Sequence, residues 1–401
     1  MKYKHYYLAI FVLVIFACQN KQKDTSVPEN IKIDLTNILN IKRSEIFSLN
    51  RIIKLENHPE STIGRMWDLL PDKKYFLVIG EDIGLYDKSG SFLHNIGKKG
   101  KGPGEYVSRL KVLQCNDRIR ILDRTQQKII DYDINGTFID EYFIGMFGQS
   151  FICWNSNIIV YIGNQRNEFN KRLFMYNDEF VMQDSHFSIG ENHDRYMHVF
   201  DKTNFFVYAD SLRFLNAFDY YIHNVDVSKN SFNIKPRYFV DFGKHKIPKT
   251  FFEQPFNDYR EYIMALEKSN YAYQIFGFFE NKSNVYFTFA HQDNYYMVIY
   301  SKESQKAIVI ERIIDDVIFE GLTFSSVIDE FLSYYYLNNQ VYFVMDAYKF
   351  LDNINKTKKI MTGKEWKNYK TNNPEIIKLY NKIDKNDNPI IFVFDLKPFT
   401  I

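Results

Sequence analysis

A glycine-rich loop is the first feature whose residue types could do chemistry. Residues 96–106 read Ile-Gly-Lys-Lys-Gly-Lys-Gly-Pro-Gly-Glu-Tyr. Such a loop can bind phosphate through its backbone N–H groups, but this one lacks the Gly-Lys-Ser/Thr ending of a P-loop and the G-x-G-x-x-G spacing. Glycine and proline usually mark turns. We therefore predict a structural connection, from which Glu105 and Tyr106 could still point at a binding face.

A second feature is similar to the start of a calcium loop. Residues 131–136 read Asp-Tyr-Asp-Ile-Asn-Gly, which gives the pattern D-x-D-x-N-G. An EF-hand loop needs a bidentate glutamate at position 12, and that position is Tyr142 in this sequence. The ligand set is incomplete, so we predict a hairpin turn.

The histidines offer a third possibility. His193 and His198 flank Asp194 and Arg195. Their spacing of five does not match H-E-x-x-H, and no cysteine cluster accompanies them. We predict a loop histidine and a strand histidine that are not metal ligands. The sequence thus predicts neither a metal site nor a cofactor.

The N-terminus has the composition of an export leader. Lys2 and Lys4 precede an apolar run of about a dozen residues, too short to span a bilayer stably. Cys18 follows Ala17 as in the bacterial lipobox, where signal peptidase II cuts before a cysteine that receives lipid. We predict a signal peptide at 1–17, a lipid anchor at Cys18 and a tether at 18–40. The alternative is an ordinary secretory leader with an incidental cysteine.

Composition narrows the remaining possibilities. Hydrophobic residues make up 45% and charged residues 25% of the chain, as in a folded globular protein. The formal net charge is +2 and no polybasic stripe stands out, so nucleic acid is not an expected partner. Cys115 and Cys153 are either two buried strand residues or a bridge between neighbouring repeats.

Repeats then predict the architecture. Two segments starting at Tyr86 and Tyr132 share the pattern Tyr-Asp-x-x-Gly-x-Phe, 46 residues apart, which suits a four-stranded propeller blade. Weaker versions of this turn follow at 176–177, 225–226, 300–301 and 394–395. A second feature also occurs six times. It is a polar turn followed by a strand of alternating polarity, and these strands are at 75–79, 119–122, 158–162, 205–208, 285–289 and 341–345.

These counts predict an all-β, six-bladed β-propeller over residues 41–401. The last blade, which ends at 389–395, lacks an outermost strand, and we expect the strand at 46–55 to supply it and close the ring. Two stretches break the period, at 247–270 and 348–388, and both read as helical insertions. We expect a monomer.

At this point the pattern resembles the six-bladed, NHL-like β-propeller lipoproteins of Bacteroidetes. The residues that carry the resemblance are 96–106, the strand 52–56 followed by Ile63-Gly64, and 387–393, and it covers roughly residues 40–397. The resemblance implies an exported, membrane-anchored protein on the periplasmic or surface face of the outer membrane. It implies the fold and leaves the function open.

The innermost strands of a propeller line its central channel. We expect these near 63–70, 108–115, 149–155, 195–201, 273–279 and 331–337. Seven side chains on or beside them form a pool of candidates for the channel or its mouth: Arg65, Asp68, Arg109, Lys111, Trp154, Arg195 and Tyr335. Because strand side chains alternate, only part of this pool can face the channel.

Two functions from different classes fit this sequence. The first is a non-catalytic binding or scaffold module that holds a protein or glycan partner at the membrane. It is favoured because no motif supplies a catalytic constellation. The alternative is a hydrolase or lyase with a site at the channel mouth, and it rests on analogy with other six-bladed propellers.

Overall fold

Six β-sheets form a closed ring of blades. The computed structural model describes residues 27–61, 63–108, 111–191, 193–197, 204–216, 219–228, 230–323 and 334–399. Each sheet has a meander of four antiparallel strands. The innermost strands of neighbouring blades contact one another around the channel. The predicted six-bladed β-propeller with two helical insertions is confirmed.

The strands are numbered in chain order. Blade 1 contains β4 (Asp68–Pro71), β5 (Tyr75–Ile79), β6 (Ile83–Asp87) and β7 (Phe92–Asn95), and a short pair, β8 (Lys98–Lys99) and β9 (Glu105–Tyr106), follows it. Blade 2 contains β10 (Lys111–Cys115), β11 (Arg118–Asp123), β12 (Lys128–Asp133) and β13 (Phe138–Phe143). Blade 3 contains β14 (Ser150–Trp154), β15 (Asn157–Tyr161), β16 (Lys171–Asn177) and β17 (Met182–Ser188).

The second half of the ring is larger. Blade 4 contains β18 (Phe205–Tyr208), β19 (Ser211–Leu215), β20 (Tyr221–Val227) and β21 (Phe232–Asp241). Blade 5 contains β22 (Ala272–Glu280), β23 (Asn284–His291), β24 (Asn294–Ser301), β25 (Lys306–Asp315) and the short β26 (Leu322–Thr323). Blade 6 contains β27 (Tyr334–Leu337), β28 (Gln340–Met345) and β29 (Ile390–Leu396), completed by β3 (Phe47–Lys54) from the N-terminus.

The helices connect these strands. They are α1 (Arg43–Ile46), α2 (His193–Tyr196), α3 (Lys249–Phe252), α4 (Tyr259–Glu267), α5 (Ala347–Ile360), α6 (Gly363–Asn372) and α7 (Pro374–Tyr380), with a 3-10 turn at Gly243–His245. None of the helices in the described residues is long and apolar enough to cross a membrane.

The N-terminal segment runs along the outer edges of three consecutive blades. Its last strand, β3, pairs with β29 from Ile390 opposite Lys54 to Leu396 opposite Phe47, which confirms the predicted closure. Before it, β1 (Glu29–Lys32) pairs in parallel with β21, and β2 (Ile38–Lys42) pairs in parallel with β25. Residues 29–32 and 38–40, which the sequence analysis places in the tether, therefore belong to outer strands of blades 4 and 5.

The repeated turn motif has a local physical cause. The Asp87 carboxylate accepts hydrogen bonds from the backbone N–H groups of Ser89 and Ser91 after the third strand of blade 1. Asp133 does the same in blade 2. The glycine between them has φ +93° at Gly90, where a Cβ would lie 2.4 Å from the Lys54 carbonyl oxygen. The aspartate and the glycine thus specify one turn, which explains their repetition.

Blade 4 departs from the sequence analysis. Residues 205–208 form its innermost strand, whereas the sequence pattern predicted that they form the second strand. The innermost strand was expected at 195–201, but the first residues of that range belong to helix α2. The true second strand, β19, follows a two-residue turn in which Ala209 and Asp210 both have left-handed φ angles. Alanine rarely adopts this conformation, so the turn gave no recognisable signal.

The two faces of the ring differ in the length of their connections. The turns from the first to the second strand of each blade contain two or three residues, and we call this side the hairpin face. At the opposite side, each innermost strand begins and each second strand ends. Helices α3 and α4 lead into β22 there, and α5 to α7 lie between β28 and β29. We call this side the insertion face.

Cys115 and Cys153 form a disulfide between β10 of blade 2 and β14 of blade 3. Of the two possibilities left open by the sequence, the structure has the bridge. It joins the ends of two innermost strands near the hairpin face.

Candidate functional site

Three residues of the sequence-derived pool meet at the channel mouth on the insertion face. Asp68 begins β4, Lys111 begins β10 and Tyr335 lies in β27, so the ring brings blades 1, 2 and 6 together at this point. Asp68 is buried, and the Lys111 Nζ lies 3.4 Å from its Oδ2. The Tyr335 hydroxyl donates a hydrogen bond to the same carboxylate.

The electrostatics of this group keep the tyrosine protonated. Burial, followed by the charge of Asp68, raises the pKa of the Tyr335 phenol well above its usual value. A neutral phenol and an ammonium group therefore share one carboxylate at the mouth. Such an arrangement can orient a polar ligand through hydrogen bonds.

Exposed groups border this mouth. Trp67 directly precedes β4 and keeps 48% of its surface exposed, and the Arg65 guanidinium carbon lies 4.9 Å from the centre of its ring. An arginine stacked on an exposed tryptophan is a combination that binding surfaces use often. Arg65 is thus placed beside the mouth and not inside the channel.

The other members of the pool lie elsewhere. Trp154 ends β14 and so lies near the hairpin face. Arg195 lies on helix α2, because the inner strand expected there is replaced by that helix. Arg109, His198 and the anchor residue Cys18 lie outside the described residues. The pool therefore does not form one site.

A cleft between α2 and α3 contains His193. The cleft has a volume of about 500 Å³ and is lined by Glu191, His193, Lys249 and Phe252 among others. Burial, and then the nearby Arg172 charge, lower the pKa of His193, so the imidazole is neutral at neutral pH. Its Nδ1 has no hydrogen-bond partner within the described residues. Arg195 lines an adjoining cavity of about 430 Å³.

The glycine-rich loop binds a side chain of its own. The Glu105 carboxylate accepts a hydrogen bond from the Gly102 N–H, and Lys98 Nζ lies 3.0 Å from it. The Gly102 N–H leads the causes that lower the pKa of Glu105. The carboxylate therefore occupies the loop where a phosphate would bind, and the loop connects blade 1 to blade 2.

The carboxylates of the calcium-like segment are also engaged. Arg120 makes two hydrogen bonds to Asp131, and Arg118 adds a third. Asp133 accepts the N–H groups of its own turn. Among the residues that the structure describes, no three His, Cys, Asp or Glu side chains are grouped as metal ligands.

Exposed apolar side chains on the insertion face were missed by the sequence analysis. They lie in connections that carry no motif, so only the topology places them together on one face. Those exposed by more than about 40% include Trp67, Phe147, Phe169, Tyr259, Tyr348 and Ile360.

Comparison with known proteins places this architecture in a family. The model of the family described as "Domain of unknown function (DUF4934)" matches residues 28–395. The chain belongs to the DUF4934 family. The match begins just before β1 and ends within β29, so in this DUF4934 chain it covers the six blades together with both edge strands.

A solved structure shows the same fold. This structure is that of a protein from Bacteroides fragilis, described as an exported protein. It aligns with this chain with a TM-score of 0.71 and 15% sequence identity, and the alignment covers 93% of this chain and 100% of that one. A member of the DUF4221 family from Bacteroides vulgatus has a TM-score of 0.49 and 9% identity, over 89% of this chain and 99% of that one. No curated protein matches the sequence.

Proposed function

We propose that this DUF4934 protein is an exported, lipid-anchored binding module that holds a partner protein on its insertion face. The membrane anchor would be Cys18, at the end of the apolar leader. In this proposal the propeller is a rigid platform, and the long connections recognise the partner. Loops on a rigid scaffold are where proteins most often place recognition.

The main support for this proposal is that the two faces of the ring differ in their connections and exposed side chains. Both helical insertions and the exposed Trp67, Phe147 and Tyr348 lie on the insertion face. Large apolar side chains cost free energy when they stay in water. Protein interfaces use aromatic residues of this kind as anchors that bury on binding. Helical insertions widen the surface that a partner can cover.

The scaffold is suited to hold such a surface rigidly. The second strands β5 and β15 are buried along their whole length, so blades 1 and 3 pack tightly against their neighbours. The disulfide between blades 2 and 3 and the closing strand β3 add two further links around the ring. A rigid platform lowers the conformational entropy lost on binding.

Binding can be tested with matched sets of surface substitutions. One variant combines three substitutions on the insertion face: Trp67→Ala, Phe147→Ala and Tyr348→Ala. Quantitative co-purification from the cell envelope should recover less of the partner protein with this variant than with the wild type. A control carrying Leu93→Ala, Ile139→Ala and Val181→Ala removes similarly exposed apolar groups from the outer edges of blades 1 to 3. The control should keep the partner, and both proteins should melt as the wild type does.

Two results would contradict the proposal. Equal recovery of the partner by both variants would move the interface away from the insertion face. Recovery of no specific protein by the wild type, together with a bound glycan, would replace the partner protein by a saccharide. The anchor has its own test, because Cys18→Ala should release the protein from the membrane fraction.

A further inference from the structure

A cavity lies on the hairpin face, opposite the insertions. Its volume is about 530 Å³, which is within the range of small-molecule sites. The inner strands β18, β22 and β27 end beside it, so it opens where blades 4, 5 and 6 meet at the channel. We propose that this cavity is a second binding site, which takes a short neutral saccharide.

Two tyrosines give the cavity its aromatic walls. Tyr208 ends β18 and Tyr336 lies in β27, and both line the cavity. Each is held in place by a neighbour: Lys302 Nζ lies 4.4 Å from the centre of the Tyr208 ring, and Tyr336 stacks on Phe279 with ring centres 5.0 Å apart. Fixed aromatic rings that carry a hydroxyl suit a ligand with apolar faces and polar edges, as a pyranose ring has.

The same walls offer polar groups without partners. Within the described residues, the Tyr208 hydroxyl, the Ser283 hydroxyl and the Asn338 side-chain amide make no hydrogen bond, although all three residues line the cavity. The Asn339 backbone N–H donates to the Tyr336 hydroxyl, which leaves that hydroxyl free to donate. Hydroxyls and amides that both donate and accept match the hydroxyl groups of a sugar.

The charges near the cavity favour a neutral ligand. The buried Glu280 directly precedes the lining residue Asn281, with Arg213 Nε 2.5 Å and Lys302 Nζ 2.6 Å from its carboxylate oxygens. These charges bind one another. Among the residues that the structure describes, Lys282 is the one charged side chain that lines the cavity, and it is exposed to water. A charged ligand would therefore find no buried counter-ion in the lining.

Saturation-transfer NMR on the full chain in detergent tests this site directly. The probes are maltotriose, cellotriose, xylotriose and diacetylchitobiose at millimolar concentration. At least one should receive saturation from the protein. The variant Asn338→Asp removes the side-chain amide donor, while aspartate, like asparagine, tolerates the left-handed backbone conformation at this position (φ 50°). We expect this variant to bind the saccharide about three- to tenfold more weakly. Tyr208→Ala should weaken binding further.

A matched control lies in the equivalent turn of blade 2. Asn116 has φ 57°, so Asn116→Asp makes the same chemical change outside the cavity and should leave binding unchanged. Saturation of none of the four probes would overturn the proposal. Equal binding by the wild type, Asn338→Asp and Tyr208→Ala would also overturn it, by placing the sugar elsewhere. Because this site and the insertion face are on opposite sides, either proposal can fail alone.

Discussion

At the scale of single residues, a buried ion pair attaches the N-terminal segment to the ring. Arg43 Nε lies 3.1 Å from Asp315 Oδ2, and both side chains are fully buried. The guanidinium also lies over the rings of Phe343 and Phe394 in blade 6. Arg43 therefore joins blade 5 to blade 6 at the point where the N-terminal segment passes between them.

Removing this arginine should destabilise the whole propeller. Arg43→Met leaves the buried Asp315 charge without its partner, and we expect a loss of about 3–5 kcal/mol in the free energy of unfolding, measured in urea. The control is Lys356→Met, which breaks a pair with Asp352 in which both side chains are more than half exposed. That change should cost less than about 1 kcal/mol. Equal costs would show that Arg43 has no special role.

Lys88 should make stability depend on pH. Its Nζ lies 3.9 Å from the centre of the Phe76 ring, and burial, then the Arg51 charge, lower its pKa from 10.5 to about 8. In the folded chain the Lys88 ammonium group therefore loses its proton above about pH 8, so the unfolded chain binds more protons between pH 8 and 10.5. This contribution makes the folded state more stable as pH rises through that window.

Comparison with Lys88→Met isolates the effect, because the tyrosines titrate in both proteins. The stability of the wild type relative to Lys88→Met should increase as pH rises from 8 to 10. Urea unfolding at several pH values measures this difference. A difference that does not change with pH would show that Lys88 titrates alike in the folded and unfolded chain.

Sequence reasoning worked best for residues whose role is local. The turn aspartates and glycines were predictable because they bond within four or five positions of themselves. The channel mouth was only partly predictable. Asp68, Lys111 and Tyr335 were in the candidate pool, but Lys111 is 43 positions and Tyr335 more than 200 positions from Asp68 along the chain. Nothing in the spacing distinguishes them from Trp154, which lies near the opposite face.

At the scale of elements, the third strands were predicted better than the first. All six turn motifs lie at or near the end of the third strand of a blade, and in blades 1 to 5 this is where the outermost hairpin turns. The first strand of blade 4 was missed because a turn made by Ala209 and Asp210 carries no glycine or asparagine. The strands β1 and β2 were missed because each is short and adds to an edge that the repeat had already completed.

The disulfide between β10 and β14 should stabilise two blades together. Cys115 and Cys153 are 38 positions apart, and loop-closure entropy for such a loop is about 4 kcal/mol. We expect Cys115→Ser with Cys153→Ser to lose about 2–4 kcal/mol in urea unfolding. The wild type in reductant should fall to the same stability, while reductant should not affect the double variant. An unchanged midpoint in the double variant would contradict this.

At the scale of the whole molecule, the ring separates two kinds of surface. Short turns cover one face, and long connections with five helices of the two insertions cover the other. The six-fold repetition could be recognised in the sequence because every blade packs against its neighbours in the same way and so needs similar residues at equivalent positions. The composition of the insertion face was not visible, since the insertions break the repeat and only ring closure brings them together.

The most direct measurement is site-specific photo-crosslinking in living cells at positions on both faces. A photoreactive residue replaces Trp67 or Tyr348 on the insertion face, and Lys73 or Asn135 in short turns on the opposite side. We predict that both insertion-face positions crosslink the same protein and that the turn positions do not. Crosslinks that form equally at all four positions, or only at Lys73 and Asn135, would contradict it.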